Sequence, residues 1–371
     1  MKIAISGDCF EVFTSGFPVR GMFRELIKMR PDDIFVVYYS RTNNNPLLRP
    51  FYDEVNNAPN VEVRRYKNHH KIVVLKRMLG LSYVSFDSDT DFFINPGSVE
   101  YVNTFRGKQV ALLTDLSTIH GQATHKNAIF YKYLNRYYYN KYIPQLYQLN
   151  TISQFTRNDL LQTFPSIDPS KVKVIYNGID DFWLDNHYEE APMQPFMGEP
   201  YFIWWGVVSR RKNIENLIAA YHMQRQANPQ LPKLLLVGSW LQYMEPLHQS
   251  IVHDDDIIAI PFQENYVLKS LVKNSAGLIF PSYYEGFGLP VLEAFSQGVP
   301  VACSHVTSLP EVSNGRAVLF DPHKIEEIAA AIEALAADYN YDPEDFKAYA
   351  ATFTYRNMAQ AYSNLLDNLS S

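Results

Sequence analysis

The sequence predicts an α/β fold made of two doubly wound domains. Apolar runs of strand length alternate with helical patterns along most of its 371 residues, which is enough chain for two domains. A polar, proline-bearing stretch at 186–200 is the best candidate for a linker. Strands that alternate with helices in this way normally form parallel sheets covered by helices on both faces. We therefore expect an N-terminal Rossmann-like domain at 1–185 and a second one from residue 201.

The expected strands occur in both halves of the chain. Each is a short run rich in apolar and β-branched residues. The runs in the first half are KIAIS, DIFVVYYS, VEVRRY, YVSFD, QVALLTD, QLNTIS and KVKVIY, and those in the second half are FIWWGVV, KLLLVG, DIIAI, GLIF and VPVACS.

Two helices are predicted clearly by apolar periodicity. The first covers residues 213–228 and has Asn213 at its N-cap. The second covers residues 325–338. The residues expected on their buried faces are Ile214, Leu217, Ile218 and Tyr221 in the first, and Ile325, Ile328, Ile332 and Leu335 in the second.

Residues 281–301, PSYYEGFGLPVLEAFSQGVPV, carry the clearest functional signal. The apolar runs around this segment predict a strand, a turn, a helix and a second strand. Pro290 suits the first helical position, and Gly298 suits the C-terminal cap. Gly286 and Gly288 would let a ligand approach the backbone N–H groups at the positive end of the helix dipole. The segment therefore predicts a phosphate-binding turn.

Two glutamates flank this turn. Glu285 precedes the predicted helix and Glu293 lies one turn inside it, so they do not form an i, i+4 surface pair. Spacing alone leaves two interpretations open. They are either a turn carboxylate and a solvated helix carboxylate, or a pair that holds a bound sugar nucleotide.

The segment EGFGLPVLE resembles the motif of two glutamates separated by seven residues in retaining family 4 glycosyltransferases, also described as glycosyl transferases group 1. The segments that match this family in order are TSGFPVRGMFREL (14–26), TISQFTRNDL (151–160), KVKVIYNGID (171–180), WWGVVSRRKN (204–213), SLPEV (308–312) and FDP (320–322). The resemblance implies a GT-B fold, in which two Rossmann-like domains face a cleft. It also implies that the second domain covers 201–354 and that 355–371 holds a helix crossing back to the N-terminal domain.

The resemblance implies a role for each candidate residue. Arg211 and Lys212, with the turn at 286–289, would stabilise the diphosphate leaving a UDP-, GDP- or dTDP-hexose donor, so no metal or other cofactor is expected. Glu285 would bind hydroxyls of the transferred sugar, and Glu293 would bind the ribose. Ionised carboxylates suit both roles because they accept hydrogen bonds from hydroxyls. The other residues expected around the donor are Gly16, Gly206, Pro261, Phe262, Gly286, Phe287, Gly288 and Leu289.

One position departs from the family pattern. Many relatives have His-Asp at the end of the strand QVALLTD, where this chain has Thr114 and Asp115. Asp115 stays a catalytic candidate, and His120 either reaches the same space or is a solvated loop residue. Phe17 or Arg20 is expected to contact the acceptor.

Charge is unevenly distributed between the halves. Residues 1–185 contain 22 Lys and Arg against 18 Asp and Glu, although the whole chain has a formal net charge of −6. Basic residues are interleaved with tyrosine at 130–142 and with apolar residues at 64–81. Such segments favour contact with an anionic membrane or a polyprenyl-pyrophosphate-linked acceptor. A solvated helix face with half-buried tyrosines explains the pattern equally well.

Several other classes of protein and site share part of this pattern. Asp87, Asp89 and Asp91 are spaced like metal-binding carboxylates of GT-A glycosyltransferases, but turn chemistry is the simpler interpretation, and a calcium loop would need an acid where Ser98 stands. A GT-B sugar-nucleotide epimerase or hydrolase, or a non-catalytic relative, would share the same fold.

The sequence also predicts a location and partners. Two cysteines cannot form a disulfide framework, and no apolar run approaches the roughly 20 residues of a membrane span. We expect a cytoplasmic enzyme, with contact at the inner face of the cell membrane as an option, that acts in surface polysaccharide or glycolipid synthesis. The expected partners are a nucleotide sugar and a glycan or lipid-linked acceptor, with no nucleic acid.

Overall fold

The structure is a computed structural model that describes residues 1–11, 16–40, 48–66, 76, 79, 86–87, 89–97, 99, 101–102, 105–122, 128–185, 198–337 and 340–370. The chain divides into two compact units. The first contains Met1–His120, Ile129–Asp180 and Thr354–Ser371, and the second contains Gly121–Ala128 and Asp181–Phe353.

A parallel sheet of seven strands forms the centre of the first unit. The strands are β1 (Lys2–Ser6), β2 (Ile34–Ser40), β3 (Val61–Tyr66), β4 (Phe92–Asn95), β5 (Lys108–Leu113), β6 (Gln148–Thr151) and β7 (Val172–Val174), in the order β3-β2-β1-β4-β5-β6-β7. All neighbours are parallel. Phe35, Val36 and Val37 are consecutive and fully buried, as expected for a sheet covered on both faces.

A second parallel sheet, of six strands, forms the centre of the second unit. The strands are β8 (Tyr201–Val208), β9 (Lys233–Trp240), β10 (Ile257–Ile260), β11 (Gly277–Phe280), β12 (Val301–Ser304) and β13 (Val318–Phe320), in the order β10-β9-β8-β11-β12-β13. All neighbours are again parallel. Strands β8 and β11 are adjacent, which brings the loops that follow them together at one edge of the sheet.

Helices connect the strands in both units. The α-helices of the described residues are α1 (Gly16–Met29), α2 (Arg49–Asn56), α3 (Ala128–Tyr142), α4 (Gln154–Thr163), α5 (Asp181–Leu184), α6 (Ile214–Ala227), α7 (Glu245–Ile251), α8 (Asn265–Lys273), α9 (Leu289–Ser296), α10 (Leu309–Ser313), α11 (Ile325–Ala336), α12 (Pro343–Ala350) and α13 (Tyr355–Ser370).

The last helix, α13, belongs to the first unit although it follows the second in sequence. It packs against α1. Gly21 of α1 permits this contact, because a Cβ there would lie 1.9 Å from Cδ2 of Tyr355. Just before α13, Thr354 forms a parallel bridge with Ile179.

Most of the predicted elements are present, with three differences among the strands. Residues 83–85 of the predicted strand YVSFD lie outside the described residues, and Phe86 and Asp87 are in no strand. The strand beside β1 is β4, which was not predicted, and β13 was not predicted either. The two predicted helices are confirmed as α6 and α11.

Candidate functional site

Helix α9 begins at a turn with no side-chain cap. Its N-cap residue Gly288 has φ 107° and ψ 48°, in the left-handed region that favours glycine. A Cβ at this position would lie 2.6 Å from Cδ2 of Leu309, so space also excludes a larger residue. Because no side chain caps the helix, its first turn has the arrangement of N–H groups and dipole that binds anions.

The C-terminal end of α9 is capped at Gly298, as predicted. Gly298 has φ 72°, and its N–H donates to Phe295 O at 2.9 Å. The N–H of Val299 donates to Ala294 O at 3.1 Å, which completes a Schellman motif. The boundaries of the helix are therefore set by residues close to it in sequence.

Glu285 forms ion pairs with both cations that follow β8. Lys212 Nζ lies 2.5 Å from Glu285 Oε1, and Arg211 Nη1 lies 2.9 Å from Glu285 Oε2. The Arg211 guanidinium also donates to Tyr284 O. The Glu285 side chain is only 10% exposed, so its two oxygens are each held by a cation in a buried setting. We call these three residues the ion-pair cluster.

The two cations keep Glu285 ionised. Burial alone would raise the pKa of Glu285, since desolvation disfavours a carboxylate. The charges of Arg211 and Lys212 outweigh burial and lower its pKa from 4.5 to about 2. At neutral pH Glu285 is therefore a hydrogen-bond acceptor and not a proton donor.

Further bonds join the loop after β8 to the loops around it. Tyr283 N donates to Arg211 O at 2.9 Å. Asn213 has φ 58°, and its amide donates to Pro281 O at 3.1 Å and to Pro322 O at 2.8 Å. Asn213 occupies the N-cap position of α6 as predicted, although its side chain makes no capping hydrogen bond there.

Two residues that sequence reasoning missed support the turn from the other side. Thr307 Oγ1 accepts a hydrogen bond from Glu285 N at 3.2 Å. Ser308 Oγ lies 2.9 Å from Glu285 O and 2.7 Å from Phe287 O. Ser308 is the first residue of the segment SLPEV, and Thr307 directly precedes it. The match of this segment to the family is the sequence signal that could have indicated both residues.

Glu293 is also held by a residue that was not predicted. Trp205 Nε1 on β8 donates to Glu293 Oε2 at 3.1 Å. The Trp205 ring is buried and stacks on Trp183, with 6.4 Å between ring centroids. This contact fixes the orientation of the Glu293 carboxylate.

Gly206 lies where two strands approach closely. It has φ 144° and pairs with Gly238 on β9. A Cβ on Gly238 would lie 1.8 Å from Gly206 O. The predicted glycine turn is therefore part of the end of β8.

The remaining donor candidates of the second unit differ in exposure. Pro261 and Phe262 directly follow β10 and are exposed, Phe262 by 47%. Phe287, by contrast, is buried and packs edge-on against Phe353, so its side chain belongs to the core. Gly286 precedes it in the turn, and Leu289 is the first residue of α9.

Asp115 and His120 of the first unit have separate partners. Asp115 Oδ1 accepts a hydrogen bond from Ser117 N at 2.8 Å, in a turn after β5. His120 Nε2 lies 2.7 Å from Asp159 Oδ1 on α4. His120 is therefore an ion-pair or hydrogen-bond partner of α4 and not simply a solvated loop residue.

The other first-unit candidates lie around the start of α1. Gly16 is the first residue of this helix. Arg20 is buried and donates to Phe10 O. The side chain of Phe17 and most of the predicted linker 186–200 lie outside the described residues.

The three aspartates Asp87, Asp89 and Asp91, the acidic run, all contact Lys2. Lys2 Nζ lies 2.8 Å from Asp87 Oδ2 and 3.1 Å from Asp89 Oδ1, and Lys2 N donates to Asp91 Oδ2 at 2.8 Å. Across the part of the chain that the structure describes, no group of three or more His, Cys, Asp and Glu is placed to hold a metal ion. Thr90 N donates to Asp87 O at 3.1 Å, so the start of this segment forms a turn.

Comparison with known families covers both units. Residues 187–353 match the family described as Glycosyl transferases group 1, and residues 115–181 match Glycosyltransferase Family 4. The first range contains the ion-pair cluster and helix α9. Residues 187–353 therefore belong to the group 1 glycosyl transferase family.

Two relatives of this chain are mannosyltransferases by name. O-antigen chain mannosyltransferase B of Escherichia coli is 29% identical over 204 residues, which are 49% of this chain and 49% of that protein. The serotype-specific mannosyltransferase WbdA of Escherichia coli is 33% identical over 233 residues, which are 56% of this chain and 27% of that protein. The chain therefore spans about half the length of the first relative and about a quarter of the second.

A solved structure shows the same fold over the whole chain. The Anabaena protein HepE, crystallised with UDP and glucose, aligns with 99% of this chain and 100% of its own, with a TM-score of 0.66 and 16% sequence identity. The predicted GT-B fold is confirmed.

Proposed function

We propose that this protein is a retaining, metal-independent glycosyltransferase that moves a hexose from a nucleotide-diphosphate sugar to a glycan or lipid-linked acceptor. The observation that carries the proposal is the buried ion-pair cluster of Arg211, Lys212 and Glu285 next to the uncapped start of α9. The match of residues 187–353 to the group 1 glycosyl transferase family supports it.

The charges of the cluster suit a diphosphate. Two cations and one carboxylate leave a local excess of positive charge, to which the start of α9 adds the positive end of its dipole. A diphosphate that binds there would gain charge-assisted hydrogen bonds. Because the loops are tied by Asn213 and Ser308, the cations are fixed before the donor arrives, which is the condition for electrostatic stabilisation of a developing charge.

In the proposed reaction, the bond between the sugar anomeric carbon and the diphosphate oxygen breaks while a bond to the acceptor oxygen forms. Arg211, Lys212 and the N–H groups of α9 would stabilise the charge that develops on the diphosphate. The leaving phosphate would take the proton of the acceptor hydroxyl on the same face, which retains the anomeric configuration. Glu285, ionised at neutral pH, would accept hydrogen bonds from hydroxyls of the transferred sugar.

Around the rest of the donor, Glu293 would bind the ribose, with its carboxylate oriented by Trp205. Phe262, exposed after β10, is proposed to contact the base. For Gly16 and Asp115 of the first unit, the proposal keeps the roles in donor binding and catalysis that the family resemblance implies.

The names of the relatives favour mannose as the transferred sugar and a surface polysaccharide as the product. The acceptor would then be a glycan, for example one carried on a polyprenyl pyrophosphate, and the reaction would run in the cytoplasm at the inner face of the cell membrane. UDP, GDP and dTDP all remain candidates for the nucleotide carrier.

The test is a thermal-shift screen of these nucleotides and their sugars, followed by product analysis. A ligand that binds only the native state raises the melting temperature. We expect one nucleoside diphosphate, and the sugar nucleotide that carries it, to raise the melting temperature. Transfer of the hexose to an acceptor should continue in EDTA. Loss of transfer in EDTA would contradict metal independence. Release of free or epimerised sugar without acceptor product would instead identify a hydrolase or an epimerase.

A further inference from the structure

Helix α3 (Ala128–Tyr142) turns an apolar stripe toward solvent. Ile129, Tyr133 and Tyr137 follow one another at i+4 intervals, and Phe130 lies three residues before Tyr133, so the four share one face. Their exposed fractions are 75%, 67%, 58% and 60% respectively. Single exposed apolar residues are ordinary, but a contiguous stripe of four is typical of an interaction surface.

The opposite face holds the helix firmly in the first unit. Tyr138 and Tyr142 are buried, and Tyr138 OH accepts a hydrogen bond from Tyr101 N at 3.0 Å. Tyr142 stacks on the Tyr101 ring, with 5.6 Å between centroids. Because the buried face already has its own aromatic contacts, the exposed stripe is not the helix's core-packing face.

Basic residues flank the stripe. Arg136 lies three residues after Tyr133 and Lys141 four residues after Tyr137, one on each side, and both are exposed. Lys141 Nζ lies 3.3 Å from Tyr137 OH. No Asp or Glu occurs anywhere in residues 116–150. Nothing acidic in this part of the sequence offsets the positive charge.

We propose that this face of α3 docks on an anionic lipid surface. Aromatic and aliphatic side chains would enter the boundary between headgroups and acyl chains, and Arg136 and Lys141 would lie at the level of the anionic headgroups. None of the helices in the described ranges has the length and hydropathy to span a bilayer. The flanking cations favour an anionic surface as the partner of the stripe, because an uncharged apolar partner would not require them. This docking deepens the location given under the proposed function, because it assigns the membrane contact to one helix face, and it can be tested without any transfer reaction.

The test is co-sedimentation of the full chain with phosphatidylcholine vesicles and with vesicles that also contain phosphatidylglycerol, at low salt. The wild type should bind the anionic vesicles and bind the neutral ones much less. Phe130→Ser/Tyr133→Ser should lower the partition coefficient by at least about tenfold. Arg136→Gln/Lys141→Gln should lower it by about 25-fold, at about fivefold per charge, and added salt should have a similar effect.

A matched control replaces two exposed apolar residues of the second unit, in Tyr266→Ser/Leu319→Ser, whose side chains are 47% and 42% exposed. It should bind vesicles as the wild type does. Melting curves by circular dichroism check that every variant is folded, which is expected because all the altered side chains are exposed.

Three outcomes would overturn the proposal. They are a wild type that ignores both kinds of vesicle, stripe variants that bind as tightly as the control, and a stripe that is covered by a second copy of the chain in solution. The last would appear as a dimer in sedimentation velocity that the Phe130→Ser/Tyr133→Ser variant dissociates.

Discussion

Replacing Glu285 by Gln should remove a pH-dependent part of the stability of the second unit. The side chain keeps its shape but loses the charge that pairs with Arg211 and Lys212, whose side chains are 25% and 13% exposed. A pKa lowered from 4.5 to about 2 corresponds to about 3 kcal/mol of stabilisation at neutral pH. Because the folded-state pKa is depressed, this stabilisation is fully present above about pH 4.5 and is lost as the pH falls toward 2.

The assay is urea denaturation of wild type and Glu285→Gln at pH 7, 5, 4 and 3, followed by tryptophan fluorescence. The four tryptophans, at 183, 204, 205 and 240, all lie in the second unit, so their signal reports the unfolding of that unit. The difference in unfolding free energy should be about 3 kcal/mol at pH 7 and fall to less than half of that by pH 3. Glu326→Gln, at an exposed position in the first turn of α11, is the control and should change stability little at any pH. A difference that is below about 1 kcal/mol at pH 7, or that does not change with pH, would refute the reasoning.

Three further predictions concern the donor site. Lys212→Met should lower the turnover number by about 10² to 10³-fold and also weaken binding of a nucleoside diphosphate, because it removes a cation from the proposed diphosphate site. Steady-state kinetics measures the first effect and calorimetry the second, and an unchanged rate would contradict the prediction. Trp205→Phe should reduce the preference for a nucleoside diphosphate over its 2′-deoxy form while pyrophosphate binding stays unchanged, since it removes the N–H that orients Glu293; equal losses for both nucleotides would indicate a purely structural effect. Gly288→Ala should destabilise the second unit by about 1–3 kcal/mol, and by more than Gly315→Ala, because both residues have positive φ but a Cβ would meet a neighbour only at Gly288; equal losses in urea denaturation would show that the contact does not matter.

The order of elements could be predicted because strands of parallel sheets are continuous apolar runs. Strand β4 was not predicted because its four residues directly follow Asp91, the last of three closely spaced aspartates. That segment was interpreted as a turn or a metal site. Its place in the sheet comes from its neighbours, with Phe92 opposite Ile3 of β1 and Lys108 of β5. Strand β13 has three residues, too few for a recognisable pattern.

The turn before α9 was predictable because its determinants are local. Gly288 and Gly298 supply the backbone conformations at the two ends of the helix, and both are visible in the sequence. The pairing of Lys212 with Glu285 was not predictable in this way, because the two residues are 73 positions apart. It follows from the adjacency of β8 and β11, which only the strand order reveals.

The same adjacency explains the contact between Trp205 and Glu293, since β8 carries the first and α9, directly after β11, carries the second. His120 shows the opposite case. Its position five residues after Asp115 suggested a role near the sugar, but the fold places Asp159 of α4 within 2.7 Å of its ring. The contact between His120 and Asp159 could not be inferred from the spacing of residues in the sequence.

The most direct test of the central claim is a crystal structure of the protein with a bound nucleoside diphosphate. We predict that phosphate oxygens lie about 3 Å from Arg211, from Lys212 and from N–H groups at the start of α9, within hydrogen-bonding distance. A nucleoside diphosphate bound elsewhere, with the ion-pair cluster untouched, would contradict it.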